Sequence, residues 1–295
     1  MIRSALALLA ACALLAACGQ GDVAREPDGG CAGVGRATAS LPGARAMTYA
    51  VSRGGRPLRL HVIPAAIGKG PRPAILLFFG GGWRTGDVAS LEGQARAFAA
   101  QGYVAVLADY RIQCRDGTTP LDAAVDARRA FRWLREHAGE LNIDPARIVL
   151  GGGSAGGQMA LYAAQKAKRG EKPAALILFN PVVDLIGPAR WWQKPLARGI
   201  SPAALPVDGL PPTLIVHGEA DRMAPIAGAR AFCDRAWEEG SVCVVRGYPG
   251  RDHGFYQDRR PGADGAASPY DDTLARALDF LTRTAVTDPD RRPTR

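Results

Sequence analysis

Gly152-Gly153-Ser154-Ala155-Gly156 sets one serine hydroxyl among small residues. The apolar run Ile148-Val149-Leu150 leads into it, and a helix-forming run from Ala155 to Lys168 leads out. A strand that turns sharply into a helix forces the middle residue into a strained backbone, and small neighbours prevent collisions at the turn. That turn lifts the Ser154 hydroxyl above the sheet edge with a helix N-terminus behind it, as acyl-transfer chemistry requires of a nucleophile. The same letters satisfy G-x-G-x-x-G at Gly151, Gly153 and Gly156, a dinucleotide fingerprint that also joins a strand to a helix. A plain Gly-rich connection is the third reading.

A serine nucleophile needs a base to take its proton and an acid to orient that base. The chain has 4 histidines. His61 lies in an N-terminal strand and His137 late in a long helix, away from strand ends. His217 ends a strand and leads through Gly218 to Asp221. His253 sits in the loop Gly250 to Phe255, after the last strand and before the last helix. Ser154, Asp221 and His253 therefore follow one another in an order that one class of serine hydrolase uses. Asp221 also suits a cap for the helix that begins near Pro225. His217, Asp221, Asp252 and His253 lack the spacing of a metal site, so no metal is expected.

Phe79-Gly80-Gly81-Gly82-Trp83 follows a buried apolar run. Three glycines let backbone N–H groups approach a developing oxyanion closely. This loop separates the nucleophile from the dinucleotide reading. A dinucleotide site also wants an acidic residue ending the second strand. Here that strand ends Phe179-Asn180-Pro181, with Asp184 displaced beyond it, so no cofactor is expected.

Continuous apolar runs at 74–79, 103–108, 174–179 and 213–216 read as buried strands, and the alternating Leu58 to Val62 as a half-exposed one. Helical runs at 88–100, 119–138, 226–239 and 270–284 separate them, the second opened by the Thr119-Pro120 start signal. The pattern predicts an α/β fold, a mostly parallel central sheet with helices on both faces. Asp184 to Leu210 breaks the rhythm with four prolines and two tryptophans, and reads as a short lid-like insert. Trp83, Trp191 and Trp192 are candidates to line a substrate pocket, or simply pack their loops.

The chain of 295 residues is expected to divide into residues 1–17, a signal peptide; 18–45, a flexible tether; 46–286, the α/β domain; and 287–295, a disordered tail. Leu15-Ala16-Ala17-Cys18 resembles a bacterial lipobox, which would lipidate Cys18 and tether an exported protein to the cell envelope. Four cysteines remain in an oxidising setting, which favours disulfides. A helix packed beside its following strand brings Cys233 near Cys243, leaving Cys31 to pair with Cys114. The formal charge of +9 is scattered, without the basic block that a nucleic-acid partner requires.

Taken together, Phe79-Gly80-Gly81-Gly82-Trp83, Asp109-Tyr110-Arg111, Gly152 to Gly157, His217-Gly218-Glu219-Ala220-Asp221 and His253-Gly254-Phe255 resemble the α/β-hydrolase superfamily. The likeness, over roughly Tyr49 to Thr284, is to secreted bacterial carboxylesterases and acetylesterases related to the hormone-sensitive-lipase group. It implies that Ser154 attacks, His253 shuttles the proton and Asp221 holds His253. It also implies that Gly81, Gly82 and Ala155 supply the oxyanion N–H groups, and that the Asp109 stretch supports the glycine loop. Relatives usually carry His where this chain has Phe79, so the loop must be anchored differently. The expected substrates are small short-chain or acetyl esters, with carbohydrate esters as one option. A prolyl-peptidase-like exopeptidase and a non-catalytic ligand-binding lipoprotein are the alternatives.

Overall fold

Apolar runs bounded by proline and glycine become strands because only a sheet covered on both faces hides them from water. The strands are Arg45–Val51 (β1), Pro57–Ile63 (β2), Arg72–Phe78 (β3), Val104–Ala108 (β4), Ile143–Gly153 (β5), Ala175–Phe179 (β6), Thr213–Gly218 (β7) and Cys243–Tyr248 (β8). They form one sheet in the order β1-β2-β4-β3-β5-β6-β7-β8. The pairings of β2 with β1 and with β4 are antiparallel, and all later ones are parallel. The computed structural model describes residues 31, 34, 40–189, 193–262 and 265–284. Of Met1–Gly33 only Cys31 is described, and the fold is that of the unit Val34–Arg295.

The α-helices are Glu92–Ala100 (α1), Gln113–Asp116 (α2), Pro120–Glu136 (α3), Ala155–Gln165 (α4), Lys194–Ile200 (α5), Ile226–Glu238 (α6) and Pro269–Arg283 (α7). Thr119 and Asp122 cap α3 reciprocally, each side chain holding the other's backbone N–H. The longer helices bury apolar stripes. Ala124, Ala127, Phe131 and Leu134 of α3 are buried, as are Phe232 and Ala236 of α6.

Register then decides what meets at the sheet's carboxyl edge. Phe78 pairs with Gly152, and Gly153 with Phe179. The glycine loop after β3, the turn after β5 and Asn180 after β6 thus leave the sheet side by side. The loops after β7 and β8 emerge at the same edge, since Gly218 pairs with Tyr248.

Several expectations need adjusting. Leu41 is buried and Val34 packs against the core, so packed structure reaches into the segment read as tether. β1 carries no clean apolar alternation and was not foreseen. The run 88–100 divides into a 3-10 turn, Val88–Leu91, and α1, because the Asp87 side chain caps the turn at the Ala89 N–H. Along β2 only Arg59 is exposed, and His61 is buried, so this strand is not half-exposed.

Candidate active site

Ser154 sits between β5 and α4 with a φ of 54°. A non-glycine residue there carries backbone strain, which the surrounding packing must hold. Its N–H donates to the Phe179 carbonyl at 2.9 Å, pinning the turn to β6. α4 also approaches β3 closely: a Cβ on Gly156 would lie 1.9 Å from the Phe78 carbonyl oxygen. Only glycine permits that contact, and it brings the helix N-terminus up behind the serine.

His253 bridges the other two residues. Its Nε2 is 2.9 Å from Ser154 Oγ, and its Nδ1 is 2.7 Å from Asp221 Oδ2. Asp221 is buried, and its second oxygen accepts from the N–H groups of Met223 and Ala224, both at 2.9 Å. The turn-capping role and the His253 contact therefore coexist, one on each carboxylate oxygen. His217 lies behind this pair. Its Nε2–H donates to the Ala224 carbonyl at 2.6 Å. Burial holds its imidazole below the ordinary pKa, so it stands neutral beside Asp221.

Asn180 completes the cluster. It is fully buried at a φ of 33°, with its N–H on the Val216 carbonyl. Its Nδ2 donates to Asp221 Oδ2 at 3.3 Å and lies 3.2 Å from His253 Nδ1. Asn180-Pro181 was read only as an acid missing from a dinucleotide site. The signal that marks it is positional: it is the first residue past β6, next to the elbow.

The glycine loop packs against the serine turn. A Cβ on Gly80 would lie 3.1 Å from the Gly153 carbonyl. Gly81 takes a φ of 111°, and a Cβ there would lie 2.3 Å from the Thr85 carbonyl oxygen. Among the described residues no backbone carbonyl accepts from the Gly81 or Gly82 N–H. With the Ala155 N–H at the start of α4, these donors are free to meet a substrate oxygen.

The anchor that replaces the usual histidine is aromatic. Phe79 stacks on Tyr110 at 4.0 Å between centroids, and the Tyr110 hydroxyl donates to the Phe79 carbonyl at 2.7 Å. Farther out, α2 takes hold of the same loop: the Gln113 and Cys114 N–H groups donate to the Trp83 and Arg84 carbonyls. Ion pairs fix this brace. Arg115 bonds both Asp109 and the Tyr110 carbonyl, while Arg56 spans Asp109 and Asp116. Arg111 clamps Asp126 with two bonds, at 2.7 and 2.8 Å.

A cavity of about 960 Å³ opens over Ser154 and His253. The insert after β6 supplies much of its apolar wall, including Leu185, Leu196 and Ile200. Trp83 lines it too, with its indole N–H on Gln158 Oε1 at 3.1 Å. Gln158 in turn donates to the Ile200 carbonyl, which ties the glycine loop to the insert. Trp191, Trp192 and Cys18 lie outside the described residues. Cys233 and Cys243 are disulfide-bonded, with Cα atoms 5.0 Å apart, and Cys31 and Cys114 are also disulfide cysteines. Among the described residues no group of three or more His, Cys, Asp or Glu side chains is placed to hold a metal.

This fold is shared with known proteins. The chain belongs to the α/β-hydrolase fold family, whose model matches residues 75–197. It is similar to a thermophilic esterase, Est2, from the planctomycete Thermogutta terrifontis. The two share 33% identity and a TM-score of 0.75, over 86% of this chain and 97% of the other. That esterase is also described with propionate or butyrate bound, and phosphorylated by paraoxon. Among curated proteins, esterase LipI of Mycobacterium tuberculosis is 35% identical over 37% of this chain and 34% of its own length. Carboxylesterase NlhH of the same species is 37% identical over 32% of this chain and 30% of its own. The chain thus spans about a third of the length of these curated relatives.

Proposed function

We propose that this protein is a serine carboxylesterase acting through an acyl-enzyme on Ser154. The observation that carries the reading is His253, whose two ring nitrogens reach Ser154 Oγ and Asp221 at hydrogen-bonding distance under an open cavity. His253 Nε2 takes the hydroxyl proton as Ser154 Oγ attacks the ester carbonyl. Asp221 accepts the Nδ1–H and stabilises the imidazolium that forms. The N–H groups of Gly81, Gly82 and Ala155 receive the oxyanion. Collapse expels the alcohol, which takes its proton from His253 Nε2. Water then attacks the acyl-serine by the same relay and releases the acid.

The substrates are small esters with short acyl chains. The short acids bound by the Thermogutta esterase support that size. Acetylated carbohydrates fit the compartment assigned below. Ester hydrolysis is tested on p-nitrophenyl esters of rising chain length. Turnover should be highest from acetate to butyrate, and Ser154→Ala should lose roughly 10³-fold or more. No turnover on any ester, or an unchanged Ser154→Ala rate, would overturn the reading.

The protein is exported and tethered through a lipid on Cys18. The Cys233–Cys243 disulfide fits an oxidising compartment. Among the described residues no helix is long and apolar enough to cross a membrane. Fatty-acid labelling that persists in Cys18→Ser would contradict the anchor.

A further inference from the structure

Tyr256 lies three residues beyond His253, and the catalytic scheme above gives it no part. Its ring is buried, stacks on Phe179 at 4.8 Å, and lines the same cavity as Ser154 and His253. Its hydroxyl presses against the serine turn: a Cβ on Gly153 would lie 2.0 Å from it. Any other residue at 153 would occupy the place of this hydroxyl. The glycine before the nucleophile is thus the complement of the tyrosine.

The hydroxyl accepts a long bond from Gln257 Nε2 at 3.5 Å, and among the described residues it donates to nothing. Burial pushes the phenol up to about 12, so it keeps its proton through neutral and mildly alkaline pH. A buried donor without an acceptor, on a side chain that lines a cavity, is a group that a ligand completes. Gln257 Nε2 also reaches the Ser90 carbonyl at 3.4 Å, so Tyr256, Gln257 and Ser90 form one polar wall of the cavity. That wall shares a loop with His253. The departing alcohol takes its proton from His253 Nε2, so the alcohol half of the ester lies toward this loop. The insert offers Leu185, Leu196 and Ile200 to the acyl half.

We propose that the Tyr256 hydroxyl is a substrate-contacting, specificity-determining donor that selects esters whose alcohol carries a further hydroxyl oxygen. The claim rests on the esterase reading and narrows its substrate class to short-chain esters of polyols. It does not alter the acyl-transfer steps: Tyr256 gives one hydrogen bond to an alcohol oxygen remote from the scissile bond, and no covalent bond forms there.

The test compares n-propyl butyrate with glycerol 1-monobutyrate, which differ only in two hydroxyls on the alcohol. Wild-type protein should favour the glycerol ester in kcat/KM. Tyr256→Phe should lose about five- to tenfold on the glycerol ester, the range of one neutral hydrogen bond, and stay within about twofold on the propyl ester. Paraoxon labelling of Tyr256→Phe at the wild-type rate shows that the nucleophile is intact. An equal loss on both esters assigns Tyr256 a purely structural role and overturns the inference, as does no loss on either. Wild-type protein that turns over neither ester overturns the esterase reading and this inference with it.

Discussion

Asp221 carries two jobs at the scale of single residues. One oxygen holds the turn at Met223 and Ala224, and the other faces His253 with Asn180 alongside. A carboxylate tied down on one side can rotate little, which fixes where the imidazole points. Asn180 is a positioning residue in this account, since its amide bonds Asp221 rather than substrate. A hydrogen bond to a charged group contributes about 1.5–3 kcal/mol. Asn180→Ala should therefore lower kcat roughly tenfold or more, while steady-state kinetics show KM nearly unchanged. A change confined to KM would contradict that role. The sequence displayed Ser154, Asp221 and His253 because their types and chain order are characteristic. Asn180 and Tyr256 were not legible, because their parts come from strand register and from the space left by Gly153.

Close approach is what the elements contribute. β3 and α4 touch at Gly156, and the glycine loop rides on the same contact. Gly156→Ala forces a methyl group into the Phe78 carbonyl. A cost of about 1–3 kcal/mol is expected, read as a lowered unfolding midpoint in denaturant, with activity falling as the serine turn shifts. Full stability and activity in this variant would show that the helix can move away freely. The glycine motif was legible from three consecutive glycines, but its anchor was not. Tyr110 replaces the missing histidine through a hydroxyl-to-carbonyl bond that no local pattern announces.

The brace behind that loop also has a pH signature. Burial alone would raise Asp116, but Arg56 and the Ile112 N–H outweigh it and hold its carboxyl below the usual range. Asp122 is lowered too, by its Thr119 cap bonds and Arg111 against burial. A depressed folded pKa gives stability that is complete above the unfolded value, about 3.9 for Asp, and lost as pH falls through the folded value. Thermal unfolding should therefore drop steeply below about pH 4, and Asp116→Asn should flatten that drop. An unchanged acid limb in the variant would remove the brace from the explanation.

At the scale of the whole molecule, alternating strands and helices made the parallel sheet legible. The antiparallel β1 at its margin was not, since its exposed face carries no clean alternation. Leu41 shows why the domain edge was misjudged: one buried leucine in a polar stretch leaves no periodic trace. The Cys233–Cys243 bond closes a short loop that spans the end of α6 and the start of β8. Chain-entropy arguments give such a loop about 2–3 kcal/mol. A Cys233→Ala/Cys243→Ala double variant should melt several degrees lower by calorimetry and keep its room-temperature activity, because the bond lies at the far end of β8 from His253. Loss of activity without loss of stability would tie this bond to the site instead.

The central claim is that Ser154, activated by His253, is the nucleophile. Paraoxon tests it most directly, because the reagent leaves a diethylphosphoryl group on the attacking oxygen. Mass spectrometry of the intact protein and of its peptides should find one such group per chain, on Ser154, with ester hydrolysis lost in proportion to labelling. Labelling should vanish in Ser154→Ala and slow strongly when His253 is replaced. A label on another residue, or fully labelled protein that still hydrolyses esters, would contradict the account.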